Sequence, residues 1–600
     1  MNLAQENTNR ARIQAAAGSL VILAAAALAV SPQLIWSDSC GHDFDFHFVS
    51  WFDALNGWRH GIAYPHWTPS ANFGAGEPRF VFYSPLTWMM GAALGSVIPW
   101  SLVPVVLTFL LLAGTGFSTR ALAREALSEG AAALAGCMAI FSWYPLFTAY
   151  ERSAFAELAG GIWIPLVLLY ALRSSDDEHS GGGVSYSIFN GSIVSLALAI
   201  AGSWLSNPTV GVMASYSLAA LAICSAAILR SWWPAVRAAA GATLGMGLSA
   251  IYLLPAAFEQ RWVDIHQVIE DPGQSLENNW LFAHHADSAL VFHDQVLHTA
   301  STIVVAMIAT TIGGIIVCKL RGRLPGSQSW WIPLALIPIA VLLLQFPFSD
   351  PIWNLLPKLR FLQFPWRWLL LLEAPMAIFF SAAIWPRTNA PFARIITILT
   401  CSAISVCLTA AAGKYLYQAC YPEDTIPGML SVLKAKHGYN GTSEYEPIGA
   451  DIARIPTGLP QACFVSDPRV VLGSNNADDE LVWDALQGSC EATFASAQDS
   501  GPEHLRISGI APQSGYLILR LLTYPAWQLK LNGRPVSPSL ARNDGLAIVQ
   551  VSPGPFEVGV DWTTTRDVTL ARWISGLSIL ALAGICLYER KLRVAPERLK

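Results

Sequence analysis

Long apolar runs, each of the length that crosses a bilayer, recur along the chain and are separated by short polar connections. A hydrocarbon core about 30 Å thick takes roughly 17–25 apolar residues per helix. Such runs occupy Ala15–Trp36, Leu102–Phe117, Ala131–Phe147, Phe155–Leu172, Ser187–Leu205 and Pro208–Leu229. Six more occupy Ala238–Ala257, His298–Cys318, Trp331–Phe346, Trp368–Ile384, Ile395–Ala412 and Val568–Tyr588. A further apolar stretch, Phe82–Ile98, is settled by where Lys and Arg fall. With twelve spans, Arg120 and Arg124, Arg173, Arg230, Lys319 to Arg323, Arg394 and the tail from Arg590 all lie on the side of the N-terminus. Counting Phe82–Ile98 as a span would invert every later loop. It is therefore expected as a helix lying along, or dipping into, the outer leaflet. Ala15–Trp36 is expected to be a retained anchor, its apolar core being longer than that of a signal peptide.

One long stretch breaks the pattern. Within Gly413–Asp567, the segments Tyr516–Pro525, Trp527–Leu531, Leu546–Val551 and Phe556–Trp562 are strand-like and punctuated by turns. Asn532-Gly533 is a hairpin signal, Asn543-Asp544-Gly545 a second turn and Pro553-Gly554-Pro555 a third. The expected fold is an α-helical polytopic membrane protein of about twelve transmembrane helices. An external β-sandwich-like domain is inserted before the last helix. Residues 1–412 form the membrane module with external loop 37–101, 413–567 the β domain, and 568–600 the last helix and basic tail. Both termini are expected in the cytoplasm.

Composition agrees with that pattern. Of 600 residues, 53% are hydrophobic and 13% charged, against roughly 25% charged in soluble proteins. Mean hydropathy is +0.43. A net charge of −5 excludes a nucleic-acid partner bound through a basic surface. The 23 Trp residues suit many membrane–water boundaries. Six of the ten cysteines sit in or beside spans as packing residues. Cys40, Cys420, Cys463 and Cys490 face the outside. A Cys463–Cys490 disulfide is expected, with Cys40–Cys420 as a second bridge.

Candidate chemistry collects in the external connections. Gly41-His42-Asp43-Phe44-Asp45-Phe46-His47 puts two carboxylates and two imidazoles within six residues. On a helix Asp43 and His47 share a face. Partly desolvated by Phe44 and Phe46, Asp43 or Asp45 can act as a general base, or the two can ligate a divalent cation such as Mg or Mn. The competing reading is an interfacial helix capped by Asp43. Trp58-Arg59-His60 and Phe82-Tyr83-Ser84 mix polar groups with aromatics, which suits a sugar and equally a headgroup belt. Arg152 and Glu157 stand at the mouth of a helix pair, either functional or a structural ion pair. Arg367, entering a span from outside, is a phosphate-ligand candidate through its planar fork; the competing reading is snorkelling to headgroups. His284, His285, His293 and His298 cluster without a metal-ligand spacing.

Six segments carry a family resemblance. They are GHDFDFH at Gly41–His47, FVFYSPLTW at Phe80–Trp88, ERSAFAE at Glu151–Glu157, LLPAAFEQ at Leu253–Gln260, FLQFPWRW at Phe361–Trp368 and TYPAWQLKLNGRPV at Thr523–Val536. In their order and topology the chain resembles glycosyltransferases of the GT-C superfamily. Within it, the chain resembles the bacterial membrane proteins labelled 6-pyruvoyl-tetrahydropterin synthase-related and their YfhO-like relatives, a label without pterin chemistry here. The resemblance implies an inner-membrane enzyme with its β domain in the periplasm. It implies transfer of a sugar from a polyprenyl-phosphate donor to a glycan, lipid or protein acceptor. Asp43 and Asp45 would be catalytic; His42, His47, Arg59, Tyr83, Arg152, Glu157 and Arg367 would bind substrate. The alternatives are a carrier of a lipid-linked sugar and a non-catalytic assembly scaffold. A carrier predicts ionisable residues at mid-membrane depth, where only Glu373 stands out.

Overall fold

The computed structural model describes residues 3–176, 192–386, 391–455, 457–466, 494–499, 501–537, 542 and 544–594. Among them, nine helices are long and apolar enough to cross a membrane, from Arg12–Ala29 to Arg566–Tyr588. Two further helix pairs pass that test only when joined. Trp233–Leu248 with Ala250–Trp262 bends by 75°, and Gln328–Leu343 with Pro347–Leu355 by 107°, which raises the count to eleven. The apolar helix Ser192–Ser206 is shorter, at 15 residues. Among the described residues the count is thus nine, or eleven with the bent pairs, against the twelve expected. The stretch expected to lie along the leaflet forms the helix Pro85–Val97. Its 13 residues make about 20 Å, less than a bilayer core.

Helix ends sort into two layers. At one, Arg120 pairs with Glu129 and bonds to Ala15 O, Arg173 pairs with Glu125, and Arg321 and Arg323 donate to Ala383 O. These are the basic connections expected on one side. At the other layer the expected external segments meet. Ser39 Oγ donates to Tyr150 O, Asp43 N to Arg152 O and Cys40 N to Gln418 O.

The β domain stands beyond this second layer. Strands β1 (Ala462–Val465), β4 (Gly515–Leu522) and β7 (Leu546–Val551) form one antiparallel sheet in the order β1-β4-β7. A second sheet has the order β2-β3-β8-β5-β6, with β2 Phe494–Asp499, β3 His504–Ala511, β5 Trp527–Leu531, β6 Arg534–Val536 and β8 Gly554–Trp562. Asn532 and Gly533 both adopt positive φ, 49° and 77°, and turn β5 into β6 as the dipeptide predicts. The two sheets share one apolar core, to which the first loop adds Trp67, Val81 and Phe82. The β domain is thus packed onto the membrane module rather than tethered to it.

Cys40 and Cys420 form a disulfide, and Cys137, Cys224, Cys318, Cys401, Cys407 and Cys586 are free. Cys463 is disulfide-bonded. Cys490 lies outside the described residues, as does Asn543.

Candidate functional site

Gly41 makes the first junction possible. A Cβ there would lie 2.5 Å from Glu151 O and 2.7 Å from Arg152 C, so only glycine lets the two backbones meet. Gly41 N then donates to Ser153 Oγ, and Ser153 Oγ to Ser39 O. This stitching carries Asp43 to Arg152. Asp43 occupies the N-cap position of the helix Phe44–Arg59, yet its side chain makes no capping bond. Its carboxylate lies 3.5 Å from Arg152 Nη2 and is 39% exposed. Capping does not account for Asp43.

Behind Asp43 is a buried cluster. Glu157, 1% exposed, takes hydrogen bonds on Oε2 from Arg152 Nη1 and, at 3.1 Å, from Arg367 Nε. Tyr144 OH donates to Oε1. Arg367 Nη1 donates to Leu362 O and Gln363 Oε1. The guanidinium groups also stack: Arg152 lies 5.0 Å from the Trp366 ring and Arg367 4.7 Å from that of Phe364. Burial opposes the charge on Arg152, but Glu157 and Asp43 outweigh it and hold its pKa above the usual arginine range. A buried pair persists only when its charges are matched and hydrogen-bonded; here two arginines face two carboxylates.

This cluster forms the floor of a cavity of about 1030 Å³. Its apolar wall comes from membrane helices, through Val212, Met246, Leu253, Ala257, Phe292 and Val296. Of these, Met246 and Phe292 are also exposed at the surface, by 42% and 80%. The broken helix Trp233–Leu248/Ala250–Trp262 supplies much of this wall, as non-continuous helices do where they line a cavity. The polar wall holds His42, Asp43, Asp45, Arg79, Tyr83, Arg152, Glu157, Lys358 and Arg367, with Tyr439–Tyr445 across from them.

Seven of the nine expected site residues line this one cavity: His42, Asp43, Asp45, Tyr83, Arg152, Glu157 and Arg367. Burial lowers the pKa of His42, with Asp43 pulling the other way. Asp45 Oδ1 accepts from Phe46 N. His47 and Arg59 stand apart. His47 is 1% exposed among Phe46, Trp51, Tyr83 and Phe155, and neither ring nitrogen has a partner. Burial pushes its pKa down to about 4, which keeps it neutral. Arg59 is exposed at the far end of its helix. His284 and His285 both bond to Asp294, as a surface cluster. Glu373 is buried with Oε2 unpartnered and does not line the cavity. Among the described residues no group of three or more His, Cys, Asp and Glu could hold a metal ion.

Three charged groups of the cavity, Arg79, Lys358 and Glu444, were not among the expected site residues. Lys358 has φ +62°, a conformation that costs energy in a residue with a Cβ. It donates to Gln260 Oε1 at 2.9 Å, sits 4.5 Å over the Phe361 ring, and has no ion-pair partner among the described residues. Burial lowers its pKa. Glu444 arrives on the segment that leads into the β domain. Neither of these two lies in a spacing pattern: Lys358 stands between Pro357 and Leu359, and Glu444 between Ser443 and Tyr445.

Fold and site together define a polytopic membrane protein with an amphipathic cavity, lined in part by the segment Tyr439–Tyr445 that leads into the β domain. No family model matches the chain, and no curated protein matches it. Among solved structures, it is similar to the Archaeoglobus fulgidus oligosaccharyltransferase, solved in complex with Zn and sulfate, at 14% identity and a TM-score of 0.35. The match covers 71% of this chain and 58% of that one. A likeness this low carries no inference about chemistry.

Proposed function

We propose that this chain is an integral membrane glycosyltransferase of the bacterial inner membrane. It transfers a hexosyl or pentosyl group from a polyprenyl-phosphate donor to a cell-envelope glycan, lipid or protein acceptor on the β-domain face. The observation that carries the reading is the single cavity in which apolar helix walls meet arginine, lysine and carboxylate side chains. Such a cavity suits an amphiphile with an anionic head. The polyprenyl chain would lie along Val212, Met246, Leu253 and Phe292, entering from the bilayer. The head phosphate would meet Arg367 and Lys358.

In the transfer, the acceptor oxygen bonds to the anomeric carbon as the bond from that carbon to the phosphate oxygen breaks. The bonding pair leaves with the phosphate, whose charge the cations stabilise. The hydroxyl proton passes to a carboxylate of the cavity. The first loop offers Asp43 and Asp45 there.

The test is the lipid-linked sugar profile of cells lacking the chain, with the donor assigned to one or other membrane face. Donor accumulating on the β-domain face, with the acceptor left unmodified, is expected. Donor trapped on the opposite face would identify a carrier, and an unchanged profile a scaffold; either result overturns the reading.

A further inference from the structure

The segment between the helix Ile426–Lys434 and β1 crosses the mouth of the cavity as a strap fixed on both sides. On the first-loop side, Tyr439 N donates to Ser70 O and Phe73 N to Tyr439 O. Thr442 N and Oγ1 both donate to Glu77, itself held by Arg79 Nε at 2.6 Å. Glycines permit this contact: a Cβ on Gly441 would lie 1.7 Å from Asn72 Oδ1. On the far side, Tyr445 stacks on Phe82 at 5.6 Å, Asp264 N donates to Glu446 O, and Gln267 Nε2 donates to Glu446 Oε2. Between these anchors the strap presents Glu444 to the cavity.

We propose that Glu444 is the group that takes the proton from the acceptor hydroxyl, so that the β domain's entry strap completes the site built by the membrane module. This assignment rests on the glycosyltransferase reading. Glu444 takes no hydrogen bond from another residue and forms no ion pair among the described residues. The charged groups nearest it are Glu77 and Arg79, which satisfy one another, and Asp43, of like sign. Tyr445 follows it in the strap, and Tyr83 and Tyr439 line the same cavity. Burial pushes the Glu444 carboxyl up to about 7, where a general base is most effective at neutral pH. Asp43 has the opposite setting, with Arg152 beside it. Two carboxyl groups in contrasting surroundings divide acid–base roles in this way. The acceptor oxygen bonds to the anomeric carbon, the phosphate leaves with the bonding pair, and the hydroxyl proton ends on Glu444. Asp43 then acts as a positioning residue that orients Arg152.

The test uses membranes from host cells lacking the chain and complemented with wild type, Glu444→Gln, Glu444→Asp or Asp43→Asn. Sugar transfer from endogenous donor is followed from about pH 5 to 9. Wild-type transfer should rise with pH through about 7. Glu444→Gln should fall roughly 10²–10⁴-fold and lose that inflection. Glu444→Asp should retain part of the rate and its pH dependence. Binding of undecaprenyl phosphate and thermal stability at neutral pH should survive in Glu444→Gln, separating lost chemistry from lost fold. Transfer by Glu444→Gln at the wild-type rate and pH profile overturns the assignment while leaving the glycosyltransferase reading intact. The same holds if Asp43→Asn alone removes the inflection. A lipid-linked sugar profile that deletion leaves unchanged overturns both.

Discussion

Replacing Glu157 by Gln removes the anion that Arg152 and Arg367 share, without changing the volume of the side chain. Glu157 Oε2 accepts from both guanidinium groups, at 2.5 Å and 3.1 Å, in a site where Glu157 is 1% exposed and the arginines 4% and 8%. At about 3 Å and an effective dielectric constant near 20, each unit-charge attraction is roughly 5 kcal/mol before desolvation is counted. Gln keeps one acceptor oxygen but turns an N–H₂ toward cationic donors. Breaking a buried pair typically costs about 3–5 kcal/mol, because the partner charge is left uncompensated. A melting temperature lower by about 2–4 °C is therefore expected for a chain of 600 residues in detergent or nanodiscs. The pairing also predicts coupling. Arg367→Met should cost less in the Glu157→Gln background than alone, by about 1–3 kcal/mol. A Glu157→Gln protein as stable as wild type, or strictly additive single and double variants, would refute the charge-matched cluster.

Four further outcomes follow from the same geometry. Asp43→Asn should lower sugar transfer and cost less stability than Glu157→Gln, since the Asp43 carboxylate is 39% exposed, lies 3.5 Å from Arg152 and makes no capping bond; a stability loss as large as that of Glu157→Gln would count against the site. Lys358→Gln should weaken binding of undecaprenyl phosphate about tenfold while leaving undecaprenol binding unchanged; equal effects on both lipids would show that the lysine does not read charge. Folded Glu444 keeps its proton up to about pH 7, whereas the ordinary value is 4.5. Its contribution is thus full below 4.5 and lost as pH rises through 7, so Glu444→Gln should gain on wild type across that window by on the order of 3 kcal/mol; parallel pH–stability curves for the two proteins would exclude a buried titration. Non-reducing peptide mapping should recover Cys40 linked to Cys420, and finding both as free thiols would contradict the junction of the first loop with the segment after Tyr415.

Much of the architecture was legible because bilayer burial writes itself into long apolar runs, and a hairpin turn into Asn532-Gly533. The basic residues at one layer of helix ends were legible for the same local reason. So was the concentration of chemistry in the external connections, where Asp43, Arg152 and Arg367 stood out as charges beside spans. The sequence by itself did not distinguish a capping Asp43 from one paired with Arg152, because that choice depends on Gly41 meeting Glu151 across 110 residues. It also placed His47 with the other site residues from its i,i+4 spacing to Asp43, and Arg59 from its aromatic neighbours, although neither signal says what covers a residue or how far it lies from the site. Packing buried His47 among aromatic rings and left Arg59 at the distant helix end. Glu444 and Lys358 belong to the site only through tertiary contacts: Thr442 on Glu77 for the strap, and Gln260 for the lysine. A lone charge in an irregular segment has no periodicity to reveal its partners, so only the folded chain brings those groups to the cavity.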